Sequence, residues 1–135
     1  MTKDIRAKIN EFTKLIKQYP HVQELYVHRA ILYEKSKQYQ KAVEDYKMIS
    51  PVYYINFDMA GIYERNGLNK EAEEFYTKAI NEDKKNIQNY ISRIYFYMRI
   101  REIEKAIIDC QTVLKLSPKN ETALTLKKIL TGKLD

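Results

Sequence analysis

One skeleton recurs three times along this 135-residue chain: a tyrosine, an alanine nine positions on, and a core-sized residue four further. The sets are Tyr33–Ala42–Tyr46, Tyr63–Ala72–Tyr76 and Tyr97–Ala106–Cys110. A spacing held at this interval specifies a stack of similar units that bury their apolar faces on one another. It argues against one core built around a single chemical centre.

The residues around each set show a helical period. Ile5, Ile9, Phe12 and Leu15/Ile16 recur at three to four residues and predict an amphipathic helix over 3–18. Pro20 biases Tyr19 out of the helix and sets its end. A second helix is predicted over 22–35 and a third from Tyr39 to Ile49. Ser50 is a good cap and Pro51 fits a first helical position, so a fourth helix is expected from there to Arg65. Asn66-Gly67 is a helix-end signature. Further helices follow over 69–82, 87–99, 103–116 and 121–131, with no strand pattern between them. The alanines have a physical reason to be small: where two helices cross closely, a small contact residue lets the backbones approach. Ala72 is expected at such a crossing, with Tyr63 filling the space beside it.

Composition limits the functional classes. With 3 Gly and 3 Pro, the chain has few breakers, which suits helices joined by short turns. No apolar run approaches a membrane span, and the start, MTKDIRAKINEF, lacks the apolar core of a secretory signal. A single Cys permits no internal disulfide, which suits a reducing, cytoplasmic setting. The net charge of +6 is uneven. Residues 1–52 hold 10 basic against 6 acidic side chains, 53–82 hold 3 against 6, and 83–135 hold 11 against 6. A nucleic-acid binder would keep one basic face, so no nucleic-acid partner is expected. The basic N-terminal helix needs Phe12 and Leu15 to cover its neighbour, so no membrane association is expected either.

These residues resemble the tetratricopeptide repeat, a 34-residue helix–turn–helix unit. Residues 53–86 fit over their length through Ala60, Tyr63, Gly67, Ala72, Tyr76 and Ala79. Residues 87–120 fit through Tyr90, Tyr97, Ala106 and Ser117-Pro118. Residues 23–52 fit through Tyr26, Ala30, Tyr33, Tyr39, Ala42 and Tyr46, as a unit of only 30. The resemblance implies one all-α domain over 1–135, a right-handed superhelix of antiparallel helix pairs. It starts with a half-repeat over 1–22 and ends with a capping helix over 121–135. Lys127 and Lys128 in that helix stand at inward-facing repeat positions and are expected to reach water. Ile94 stands where the family prefers a small residue.

No catalytic constellation is visible, and neither an enzyme activity nor a cofactor is expected. His21 and His28 lack a third ligand and make no metal site. Cys110 reads as a buried packing thiol. The family resemblance implies that the first helices of successive units line a concave groove. Carried over, the groove holds Val27, His28 and Ile31 from the first unit. It holds Tyr54, Phe57, Asp58 and Gly61 from the second, and Ile91, Tyr95, Met98 and Arg99 from the third. Glu34, Lys35 and Arg65 also fall on groove-facing positions. One branch of the family grips chaperone C-terminal carboxylates with a Lys/Asn/Arg clamp. Here Val27, Ile31, Asp58, Gln88 and Ser92 stand at those positions, so a chaperone tail is not the expected ligand. Val27, Ile31, Phe57, Ile91, Tyr95 and Met98 read instead as an open apolar stripe suited to a peptide or helix of a partner protein. The alternative is self-assembly, a homodimer formed through the groove or the N-terminal helix.

Overall fold

The computed structural model describes residues 1–49 and 55–132. The described residues form eight helices and no strand: α1 (Lys3–Gln18), α2 (Gln23–Lys35), α3 (Tyr39–Lys47), α4 (Ile55–Arg65), α5 (Asn69–Glu82), α6 (Ile87–Arg99), α7 (Ile103–Leu116) and α8 (Glu121–Thr131). The all-α class and the predicted helix positions stand. α3 ends at Lys47, two residues before the predicted Ile49. The helix start predicted at Ser50-Pro51, and Tyr54, lie outside the described residues.

Local chemistry explains the boundaries. Thr2 caps α1 by accepting the Ile5 N–H at 3.1 Å, and Asn86 caps α6 by accepting the Gln88 N–H at 3.0 Å. Asn120 does the same for α8 with the Ala123 N–H at 2.9 Å. Each satisfies a donor that the helix itself leaves without a partner. Before Pro20, Tyr19 leaves the helical region, with φ −131° and ψ 66°.

The chain divides into two compact units, Met1–Leu68 and Asn69–Asp135. In unit 1, α1 packs on α2, α2 on α3 and α3 on α4. In unit 2, α5 packs on α6, α6 on α7 and α7 on α8. The alanines of the recurring skeleton behave as small contact residues: Ala42, Ala72 and Ala106 expose no surface. Ile94 is equally buried, so its larger side chain is accommodated within the core of unit 2. Phe96, Ile94 and Val113 are among the largest fully buried side chains there, and Ile62 and Val43 in unit 1. Each contributes on the order of 1.5–3 kcal/mol by leaving water.

The skeleton tyrosines also anchor turns. The carbonyls of Tyr33, Tyr63 and Tyr97 accept the N–H groups of Gln38, Leu68 and Glu102 at 2.8, 2.9 and 2.8 Å. Between them stands one residue with positive φ in each turn: Lys37 at 62°, Gly67 at 77° and Arg101 at 63°. This is the left-handed helix stop that satisfies the last carbonyls. Glycine takes it without steric cost only in the middle turn.

A buried polar device, not foreseen from the sequence, occurs once in each unit. In unit 1, Arg29 grips Asp45 with Nε at 2.8 Å and Nη2 at 2.6 Å, and its Nη1 donates to Thr13 Oγ1 at 3.2 Å. In unit 2, Arg93 grips Asp109 with both at 2.7 Å, and Nη1 donates to Thr77 Oγ1 at 3.0 Å. The guanidinium carbons lie 5.6 Å from the Tyr33 ring centre and 5.5 Å from that of Tyr97. Lys41 and Lys105 stand over the same two rings. Every member of the second set follows its counterpart by 64 positions. At the intermediate positions the chain carries Val43, Met59 and Phe75.

Candidate functional site

Unit 1 holds a preformed cavity of about 680 Å3, with walls from α2, α3 and α4. Its apolar side is Ile31, Phe57 and Ile62. Gly61 opens the middle of α4: a Cβ added there would meet nothing within 4 Å. Glycine in a helix interior costs roughly 0.5–1 kcal/mol relative to alanine, so this stretch of helix gives up stability where the cavity lies.

The other side is a pinned ionic cluster. Glu34 accepts from Tyr46 Oη at 2.8 Å, from Arg65 Nη2 at 2.5 Å and Nε at 3.1 Å, and from Asn66 Nδ2 at 3.3 Å. Burial pushes the Glu34 carboxyl up, but the bonds from Arg65 and Tyr46 outweigh it and hold the group below its ordinary value. The same contact moves Tyr46 the other way: burial, then the Glu34 carboxylate, push its hydroxyl up to about 12. Glu34 and Arg65 thus stay ionised, and each takes up the other's charge.

Asp58 lines the same cavity and has no such partner. Its Oδ2 is buried and without a hydrogen bond. Burial pushes its carboxyl up to about 6, against the through-space pull of Lys47 and Arg65. A buried acceptor left unpaired costs about 1–3 kcal/mol.

The cavity brings together four of the residues expected in the groove: Ile31, Phe57, Asp58 and Gly61. Glu34, Lys35 and Arg65, on groove-facing positions, line it too. Tyr46, Ile62 and Asn66 also belong to it and were not expected there. Tyr46 reads in the sequence as a packing residue, and its hydroxyl role is invisible without Glu34 in place. Val27 is half-buried on α2, and His28 is exposed with its ring stacked on Phe12, centres 5.5 Å apart. Neither lines the cavity.

The remaining groove candidates lie on α6 in unit 2. Tyr95 is 41% exposed, Met98 is half-buried and Arg99 is exposed. Ile91 corrects the expectation: at 8% exposure it belongs to the core of unit 2 and not to an open stripe. Ile91 follows Tyr90, which is buried and hydrogen-bonds the Lys84 carbonyl at 3.0 Å. Of the two terminal lysines expected to reach water, Lys128 is exposed and Lys127 half-buried. Among the described residues no group of three or more His, Cys, Asp and Glu is placed to hold a metal ion. No described helix is long and apolar enough to cross a membrane.

Residues 23–47 and 53–86 match the tetratricopeptide repeat family. Over these residues the chain carries tetratricopeptide repeats. Solved structures of such domains share its fold. The tetratricopeptide-repeat domain of OM64 from Arabidopsis is similar at 26% identity and a TM-score of 0.52, over 83% of this chain and 96% of that one. The second such domain of human RPAP3, in complex with the HSP70 peptide SGPTIEEVD, is similar at 25% identity and a TM-score of 0.51, over 83% and 98%. MamA is similar in fold, with a TM-score of 0.56 at 14% identity, over 96% of this chain and 73% of that one. No curated protein matches the sequence. The fold is that of protein–protein interaction scaffolds, modules generally without enzymatic activity.

Proposed function

We propose that this tetratricopeptide-repeat chain is a non-enzymatic scaffold that holds a peptide or helix of a partner protein, seated at the unit 1 cavity. The observation that carries the reading is the cavity itself: preformed, apolar on the side of Ile31, Phe57 and Ile62, and opened by Gly61. Sites of this kind bind by burying apolar groups while a few fixed polar groups set the register. The human RPAP3 domain was solved with an HSP70 peptide, which supports peptide capture as the mode. The ligand differs, because Val27, Ile31 and Asp58 stand where the clamp would need basic or amide side chains. We place the repeats at 23–52, 53–86 and 87–120. The positive-φ residues Lys37, Gly67 and Arg101, 30 and then 34 positions apart, support that division.

The test is selection of a randomised peptide display library on the full chain, wild type and Gly61→Leu in parallel. The added leucine side chain would fill the cavity from a position that has room for it, so the fold should survive. Peptides enriched on wild type and lost on Gly61→Leu are the expected result. Equal enrichment on both would move the site elsewhere. Light scattering on the free chain tests homodimerisation: a dimer that dissociates in Gly61→Leu would assign the cavity to a second copy.

A further inference from the structure

The scaffold reading leaves open what chemistry the cavity selects, and its unpaired groups bear on that. Glu34 is saturated by donors from Tyr46, Arg65 and Asn66. Arg65 spends its fork on Glu34 and lies over the Tyr46 ring. Lys35 is exposed at the rim, where water satisfies it. Among the described residues, Asp58 is the one lining side chain with a buried polar atom that no donor reaches. The unmet demand of the cavity is therefore for a donor, and a carboxylate is matched best by a cationic one, whose hydrogen bonds are roughly twice as strong as neutral ones.

We propose that this cavity takes a lysine or arginine side chain of the partner segment, carried beside an apolar residue, with Asp58 as its counter-ion. Ile31, Phe57 and Ile62 cover the methylene stem and the apolar neighbour, as such stems require. Gly61 leaves the backbone of α4 open to the approaching segment. A rotation about the Asp58 Cβ–Cγ bond exchanges its two oxygens, so one incoming cation relieves the carboxylate. Among the described residues, the titratable groups that share the cavity with Asp58 or act on it are Glu34 and Lys35 from α2, Tyr46 and Lys47 from α3, and Arg65 from α4 itself. Lys47 and Arg65 act on it through space and form no ion pair with it. Acidic segments are excluded by the same carboxylate.

This inference rests on the scaffold reading, and the experiment separates the two. A randomised peptide library is selected on the full chain, wild type and Asp58→Asn in parallel. The best peptides are then measured at about pH 7 and about pH 5. The expected pool on wild type carries Lys or Arg next to an apolar residue. Replacing that basic residue by Met weakens binding about tenfold on wild type and little on Asp58→Asn. Wild-type affinity falls from the higher pH to the lower, because the cation must displace a proton from Asp58. Peptides enriched without a basic position, or a basic preference that Asp58→Asn keeps, would overturn this inference alone. So would affinity that rises as pH falls, the mark of a neutral carboxyl donating to the ligand. A library from which no peptide is enriched would overturn the scaffold reading as well.

Discussion

Arg93 and Asp109 meet as two parallel hydrogen bonds, Nε to Oδ2 and Nη2 to Oδ1, both at 2.7 Å. The side chains are 15% and 3% exposed, so the pair is nearly dry. Removing one partner leaves a buried charge without compensation. Asp109→Ala should therefore cost about 3–5 kcal/mol, read as a loss of denaturation midpoint. Replacing all three members together by what the chain places at the intermediate positions, as Thr77→Val, Arg93→Met and Asp109→Phe, should recover most of that loss. Buried ion pairs are often matched or exceeded by apolar residues that pack. A triple variant as unstable as Asp109→Ala would show that the pair is needed for the fold of unit 2.

Asp58 gives a stability effect with a defined pH window. Its carboxyl releases its proton near 3.8 when unfolded and near 6 when folded. Between those values the folded chain binds more protons, so this group's contribution to stability falls as pH rises from about 4 to about 6. Above that window wild type carries the full penalty of a buried carboxylate. Asp58→Asn should then be more stable by roughly 1 kcal/mol, the shift being discounted for partial exposure. The two chains should converge below about pH 4. Chemical denaturation across this range checks both the sign and the window.

Lys37 and Arg101 hold the left-handed conformation that Gly67 holds in the matching turn. A side chain there brings Cβ against the carbonyl oxygen that follows it. Lys37→Gly and Arg101→Gly should each raise stability by about 0.5–1 kcal/mol, less than the full steric relief because glycine also loosens the unfolded chain. A thermal melt of each single variant and of the pair reads this, and the pair should be additive.

Cys110 exposes no surface. Burial, and then the neighbouring Asp109, push its thiol up to about 11. Thiolate is the reactive form, so native protein should react with a thiol reagent at least about a hundredfold more slowly than unfolded protein. Fast native labelling would show that α7 opens locally.

What is legible in the sequence follows from what local patterns encode. Ala42, Ala72 and Ala106 each stand nine positions after a tyrosine because helix crossings impose one size of residue, and a linear reading finds that. Helix ends are legible where Pro20 or Asn66-Gly67 marks them. The turn at Lys37 reads only as a polar break, since its φ of 62° has no sequence signature in lysine. Arg29–Asp45–Thr13 escapes a linear reading because pairing across three helices depends on side-chain direction. The 64-residue echo at Arg93, Asp109 and Thr77 is the available signal. Of the groove candidates, Ile31, Phe57, Asp58 and Gly61 share a cavity because α2 and α4 both pack on α3 in unit 1. Ile91 does not stay open: it is buried in the core of unit 2, while Tyr95 one turn on stays exposed.

Gly61 and Cys110 together offer a practical handle. The only thiol of the chain is shut inside α7, while position 61 has free space around an added side chain. Gly61→Cys would present one reactive site beside the cavity without any need to remove the native cysteine. A fluorophore or spin label attached there would report occupancy directly, and it would do so before the identity of the occupant is known.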